Sequence, residues 1–410
     1  MITILNEKMK ECHCGSLHRP ITIEGIAVEH GALSKISTFI HTKSYRKISI
    51  VCDQNTLKAA GETVITGLNG ANLHPALCVV KENELGDVVA DETSLIQTFL
   101  EIPMDTEVVL AVGAGTIHDI ARFICFHKKI PFISVPTAAS VDGFTSAGAP
   151  IIHRRFKQTV QTVAPIALFA DLDILMKAPK ELTAAGFGDI LGKFTSLTDW
   201  KVSHWLANEP YCPAAAELTK TSLKTCISNI NEIAADSSKG IKILIESLIE
   251  SGLIMTTLNH SRPASGAEHH LSHYWEMNFL QTERAQLLHG AKVGVATTII
   301  AHLYKQISTL SLTDLNMKGK NKEMVLQYWK EIKEIYRDLP DQNLLRAWLG
   351  KVGGAATPEE LGISKELIEK ALDNAHLLRD RYTGLKLYNE QQLKLKNESF
   401  LSTRRPNEVK

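Results

Sequence analysis

The sequence lacks several things, and each absence excludes a class of protein. No charge of one sign is in excess: Lys plus Arg and Asp plus Glu number 45 each, so there is no basic field to select nucleic acid or an anionic membrane surface. No apolar run approaches the roughly 18 uncharged residues of a membrane span, and the stretch from Met1 to Lys10 has no signal-peptide core. Cysteine is scarce, odd in number at seven, and scattered except for Cys12 and Cys14. That argues against a disulfide framework and for a reducing compartment. Internal repeats and low-complexity blocks are also missing. What remains is a cytoplasmic protein whose partners are small molecules, with no nucleic acid and no membrane insertion.

The chain's 410 residues exceed one ordinary domain of roughly 100 to 200 residues, which predicts two or three. From about Ile21 to Asp173 short β-branched runs alternate with helical periodicity, the pattern of a mainly parallel sheet in an α/β domain. Candidate strands are KISIVCD (47–53), HPALCVV (74–80), TEVVLAV (106–112), IPFISVP (130–136) and ALFADLD (167–173). After about Ala178 strand-like runs stop, and amphipathic segments broken at Pro210, Pro213, Pro263, Pro340 and Pro358 take over. The expected organisation is an α/β dinucleotide-binding domain over 1–178 and an all-helical domain over 179–410, with a polar tail from about 389.

The strand TEVVLAV runs directly into GAGTIHDIARF. Gly113 and Gly115 open a turn whose backbone can approach a diphosphate, while the following helix N-terminus offers unpaired N–H groups. The third glycine of the dinucleotide fingerprint is absent, since Ile117 and His118 follow Thr116. Asp53 ends an earlier strand, where a carboxylate can hold ribose hydroxyls or cap a helix. Thr137-Ala138-Ala139-Ser140 closes the next strand with small residues and hydroxyls.

The stretch SGAEHHLSHYW (265–275) places three of the chain's sixteen histidines within five positions. If it is helical, His269 and His273 share one face and could both ligate one metal, while His270 is rotated by about 100° and points elsewhere. His289 opens an apolar helical segment, and Asp189 in AAGFGDILGKF is the carboxylate candidate. Asp with two or three His suits zinc or a neighbouring divalent metal. Arg262 and Lys193 stand beside these motifs; their ordinary reading is a solvated charge or a helix-end partner, so neither enters the site. A second group, CHCGSLH (12–18), has the composition of a metal hook. Cys-x-Cys is, however, tighter than customary zinc spacing, and no second cysteine pair completes a site.

GAGTIHD, VPTAASVDGFTSAGAP (135–150), GFGDILGK (186–193), SRPASGAEHHLSH (261–273) and LHGAKVG (288–294) together resemble the sn-glycerol-1-phosphate dehydrogenases. These belong to a larger group that includes iron-type alcohol dehydrogenases, glycerol dehydrogenase and dehydroquinate synthase. The resemblance runs from about 20 to 390. It implies metal ligands at Asp189, His269 and His289, and substrate contacts at Asp142, Asp189 and His273, with Asp142 and His273 the catalytic pair. It implies nucleotide contacts at Asp53, Gly115, Thr116, Ile117, His118, Asp119, Thr137, Ala138, Ala139, Ser140 and Ser146. The activity implied is reversible reduction of dihydroxyacetone phosphate with NAD(H) or NADP(H), using one divalent ion, Zn2+ or Ni2+, in a homodimer.

On this reading a metal polarises the ketone for hydride transfer, His273 relays a proton, and Asp142 fixes the substrate face. Two rivals share the motifs: a dehydrogenase of glycerol or another small polyol, and a non-catalytic metal-binding interaction module on the same scaffold. Dehydroquinate synthase is disfavoured by the lack of a Lys- and Arg-rich substrate pattern.

Overall fold

The computed structural model describes residues 1–316 and 321–393. Six strands join one sheet: β1 (Gly25–Glu29), β2 (Ile48–Asp53), β3 (Ala76–Val80), β4 (Val108–Gly113), β5 (Phe132–Pro136) and β8 (Ala167–Asp171). Between the last two, β6 (Gly148–His153) and β7 (Phe156–Gln161) form a separate antiparallel hairpin. The sheet order is β1-β8-β5-β4-β2-β3, and every pairing within it is parallel.

Strand β4 shows why these residues adopt this form. All six of its residues are buried. Val108, Leu110 and Val112 pack into one core, and Val109 and Ala111 into another on the opposite face, so the continuous apolar run serves a strand covered on both sides. The strands expected at 47–53, 74–80, 106–112, 130–136 and 167–173 correspond to β2, β3, β4, β5 and β8.

No strand follows Asp171 among the described residues, and the helical half begins with Lys180–Leu191. Its main members are the helices Lys193–Ala207, Pro213–Ser228, Ser238–Leu258, Ala267–Gln281 and His289–Ile307. Pro213 occupies the first turn of its helix, where the missing N–H is harmless. No helix of the described residues is long and apolar enough to cross a membrane. An N-terminal helix, Ile2–Lys10, packs its buried Leu5 and Met9 into the helical core, not against the α/β cores. At the other end the chain is helical over Gly384–Glu390, and Gln391 and Leu393 are buried. The rest of the expected tail, 394–410, lies outside the described residues.

Two glycine motifs set how the halves meet. A Cβ at Gly186 would stand 1.9 Å from the Ala139 carbonyl oxygen, and one at Gly290 would stand 1.9 Å from that of Ala185. Only glycine permits these approaches. The helix carrying Asp189 is therefore pressed on one side against the loop after β5 and on the other against the helix that begins at His289.

Candidate active site

A cavity of ≈ 370 Å³ lies at the carboxyl ends of the strands, between the sheet and the helices, where ligands of parallel α/β sheets collect. Its walls include Gly115, Thr116 and Asp119 from the helix after β4, Ser140 to Gly143 from the loop after β5, and His269, His273 and His289. Helix N-terminus and histidine cluster thus face one space.

On the helical side, ligand atoms of Asp189, His269 and His289 all lie within 4.8 Å of one another. His269 Nε2 stands 3.7 Å from Asp189 Oδ1, and the His269 and His289 ring centres are 5.2 Å apart. His269 Nδ1 donates to Glu268 Oε1 at 2.8 Å, which leaves the Nε2 lone pair facing the cluster, the carboxylate-supported form of a metal-binding imidazole. Glu268 is itself held by Thr195 Oγ1 at 2.6 Å and the Gly266 N–H at 2.6 Å.

The electrostatics fit a cation. Burial, then the Asp142 charge, push the Asp189 carboxyl up to about 7, while Lys193 pulls it back. Burial, reinforced by Lys193 at His269 and by His269 at His289, holds both imidazolium pKa values well below 6.5, so both rings are neutral donors at pH 7. His289 Nδ1 is buried with no hydrogen-bond partner. Two carboxylates share one lysine here, and a buried anionic excess with imidazole lone pairs suits a divalent ion. His270 is buried outside the cavity.

Lys193 differs from its sequence reading. It is 1% exposed and donates to Asp142 Oδ2 at 2.7 Å, Asp189 Oδ1 at 3.3 Å and the Ala264 carbonyl at 3.3 Å. Position i+4 from Asp189 put it on the right helix face, a signal available in the sequence. Asp142 also accepts from Ser251 Oγ at 2.8 Å, and its backbone N–H donates to Asp189 Oδ2 at 3.0 Å. Arg262, in contrast, pairs with Glu209, as an ordinary ion pair does.

His273 faces Arg379. Because a guanidinium can only donate, the 3.0 Å contact from Arg379 Nη2 makes His273 Nε2 the acceptor and leaves the proton on Nδ1, 3.5 Å from Glu276 Oε2. Burial and then Arg379 hold its pKa well below 6.5, so it enters the cleft as a neutral ring. Glu276 is spent on Lys157, at 2.9 Å, and Lys292, at 3.2 Å. The hydrogen bonds of Arg379 go to neutral partners, Ser265 Oγ and His273 Nε2. Sequence reasoning missed Glu268, Arg379, Lys157, Lys292 and Glu276. Of these Glu268, inside SGAEHH, and Lys292, inside LHGAKVG, carried a local signal.

The nucleotide candidates divide. Gly115, Thr116, Asp119, Ser140 and Ser146 line the cavity. Ile117 packs into the sheet core, and His118 is fully buried, bonded to the Ala114 carbonyl and Ser134 Oγ. Thr137, Ala138 and Ala139 are buried behind the cavity wall. Asp53 stands outside it and caps the next helical turn, accepting from the Asn55 and Thr56 N–H groups at 2.8 Å each.

A glycine-opened helix N-terminus at the carboxyl end of a parallel strand, facing the same cleft as two imidazoles backed by a buried carboxylate, is the equipment of a metal-dependent, NAD(P)-linked dehydrogenase. A family model described as iron-containing alcohol dehydrogenase matches residues 27–179. Solved structures agree in fold: glycerol dehydrogenase from Schizosaccharomyces pombe has a TM-score of 0.63 at 20% identity, covering 92% of this chain and 86% of that one. The NADH-dependent butanol dehydrogenase A from Thermotoga maritima has a TM-score of 0.63 at 18% identity, covering 93% and 96%. Sequence relatives narrow the class. A glycerol-1-phosphate dehydrogenase (NAD(P)+) from Bacillus licheniformis is 47% identical over 96% of this chain and 95% of its own. One from Geobacillus stearothermophilus is 46% identical over 93% of this chain and 96% of its own. The chain belongs to the glycerol-1-phosphate dehydrogenase family.

Proposed function

We propose that this enzyme reduces dihydroxyacetone phosphate to sn-glycerol 1-phosphate, reversibly, with NADH or NADPH. The observation that carries the reading is the shared cleft: Gly115 at a helix N-terminus lines the same cavity as His269 and His289, and Asp189, buried behind its wall, completes their cluster. A divalent ion held by those three residues, zinc or nickel, supplies Lewis acidity toward the ketone.

The chain's own residues do the rest. Glu268 fixes the His269 ring, and the Asp142 N–H fixes the Asp189 carboxylate. Unpaired N–H groups at the start of Gly115–Lys128, which has no side-chain cap, receive the dinucleotide diphosphate. Asp142, oriented by Lys193 and Ser251, accepts from a substrate hydroxyl and presents one face of the carbonyl to the nicotinamide. Arg379, whose hydrogen bonds among the described residues go to neutral partners, is a cation able to take the substrate phosphate. His273, pinned by Arg379, orients substrate as a neutral hydrogen-bonding group and can pass a proton once the arginine engages phosphate.

A homodimer is supported by an apolar strip beside edge strand β3. Ile96 and Leu100 on Glu92–Glu101, and Met104 beyond it, are 59%, 74% and 89% exposed, an arrangement that favours burial against a second copy. Light scattering of the purified protein checks it, a monomer mass counting against it. The test of function is nicotinamide absorbance with dihydroxyacetone phosphate against unphosphorylated dihydroxyacetone. The account expects oxidation of the reduced cofactor with the phosphate ester; equal rates with both ketones would favour a polyol dehydrogenase.

A further inference from the structure

We propose that Cys12, Cys14, His18 and Cys212 form a second metal centre, a tetrahedral zinc site that staples the N-terminal segment to the helical half. None of the four lines the cleft cavity. The sequence hides the site because its fourth ligand lies 200 positions from its first.

The geometry is that of four donors around one point. All four ligand atoms lie within 4.8 Å of one another. Zinc–sulfur and zinc–nitrogen bonds of about 2.3 and 2.0 Å, arranged tetrahedrally, set ligand-to-ligand edges of about 3.8 Å for two sulfurs and about 3.5 Å for sulfur and nitrogen. The Cys12 and Cys212 sulfurs are 3.6 Å apart, and Cys14 Sγ is 3.5 Å from His18 Nε2. A tetrahedron thus needs only small adjustments.

The tight Cys-x-Cys spacing has a structural answer. Over residues 11–18 burial alternates: Cys12, Cys14, Ser16 and His18 are half-buried, while Glu11, His13, Gly15 and Leu17 are exposed. Side chains two apart share a side, so Cys12, Cys14 and His18 face the helical half together. Gly15, with φ of +77° and open space around its Cβ position, turns the chain directly after Cys14.

Outer support is also present. Cys212 caps the helix Pro213–Ser228 and accepts from the Ala215 N–H at 3.4 Å. That amide, at a helix N-terminus, offsets part of the burial that pushes the Cys212 thiol up, so the thiolate is formed by ligation to the metal.

Other accounts of the cluster explain less. The remaining cysteines, Cys52, Cys78, Cys125 and Cys226, are buried members of the apolar cores, the usual fate of a free thiol; Cys212 is buried as well, but its sulfur faces that of Cys12. A Cys12–Cys212 disulfide would use two of the four donors and leave Cys14 and His18 facing the same point without a role. The segment from Cys12 to Glu24 is neither helix nor strand, so the staple supplies order that backbone ladders do not. Each thiol gives up its proton on ligation, which makes binding weaken at low pH.

The test uses full-length protein, in which the cleft centre offers no sulfur ligand. Elemental analysis of protein purified without chelator should find about two divalent metal equivalents per chain, falling by one in the Cys14→Ser/His18→Ala double variant. Cobalt(II)-loaded wild-type protein should show the sulfur-to-cobalt charge-transfer band and the visible bands of a tetrahedral thiolate site. Those bands should persist in His269→Ala and vanish in the double variant. Absence of the sulfur band in wild-type protein, unchanged metal content in the double variant, or a Cys12–Cys212 disulfide found by mass spectrometry after thiol blocking would overturn the proposal.

Discussion

Single side chains around the cleft divide into those placed to ligate a metal and those that hold these candidates in place, and their substitutions should separate accordingly. Asp189→Ala and His289→Ala should keep the fold, since neither side chain belongs to the apolar cores, but lose both the cleft metal and turnover; elemental analysis alongside circular dichroism checks this. Glu268→Gln keeps the size of the side chain while weakening its hold on His269, so metal affinity should fall by roughly 10- to 100-fold, readable by competition with a chelator. Arg379→Ala should raise the KM for dihydroxyacetone phosphate by roughly 10- to 100-fold, the worth of a charge-assisted contact, with little effect on the KM for the nicotinamide cofactor. Equal effects on both constants would move the phosphate elsewhere. At this scale the sequence exposed the residues that stand in motifs, Asp189, His269 and His289. It concealed Arg379, which reaches His273 across 106 positions, because a lone arginine has no local signature.

Elements meet through glycine, and the consequence is steric. Gly290→Ala sets a methyl 1.9 Å from the Ala185 carbonyl oxygen, so the two helices must part at the point where Asp189 and His289 converge. The expected cost is about 3 kcal/mol or more, seen as a lower denaturation midpoint and a weaker metal centre together. The turn between β4 and its helix brings a pH dependence. Burial pushes the His118 imidazolium down to about 3, against an unfolded value of about 6.5. Between these values the unfolded chain binds a proton that the folded one refuses. Stability is therefore complete above pH 6.5 and declines on acidification toward 3, at up to about 1.4 kcal/mol per pH unit for this group. His260, lowered to about 4 chiefly by burial, adds to the same slope. His118→Asn should flatten it in denaturation curves at stepped pH; an unchanged slope would place the acid lability elsewhere.

Legibility of the elements followed burial. Strands covered on both faces, such as β4, read as apolar runs, whereas β1, half-buried throughout, and β7, with four of its six residues exposed, had neither a continuous run nor clean alternation. The Ile2–Lys10 helix escaped because only Leu5 and Met9 of its residues are buried.

For the whole molecule, the arrangement of the halves decides whether chemistry is possible. The sheet brings the candidate dinucleotide cradle, the helices bring the candidate cation ligands, and the Lys157–Glu276 pair ties the β6–β7 hairpin to the histidine-bearing helix. Composition and texture were enough to expect a parallel sheet followed by helices. Closure of the cleft was not, because it depends on contacts between residues far apart in sequence. Metal dependence and nucleotide chemistry should therefore fail together when the cleft centre is emptied and return together when it is refilled. The most direct measurement strips the cleft metal from the purified enzyme with a chelator, then titrates back nickel or zinc while following NADH oxidation by dihydroxyacetone phosphate. The account predicts no turnover in the stripped protein and recovery that saturates at one equivalent of metal bound through Asp189, His269 and His289, a recovery absent in Asp189→Ala. Full turnover by the stripped enzyme would contradict it.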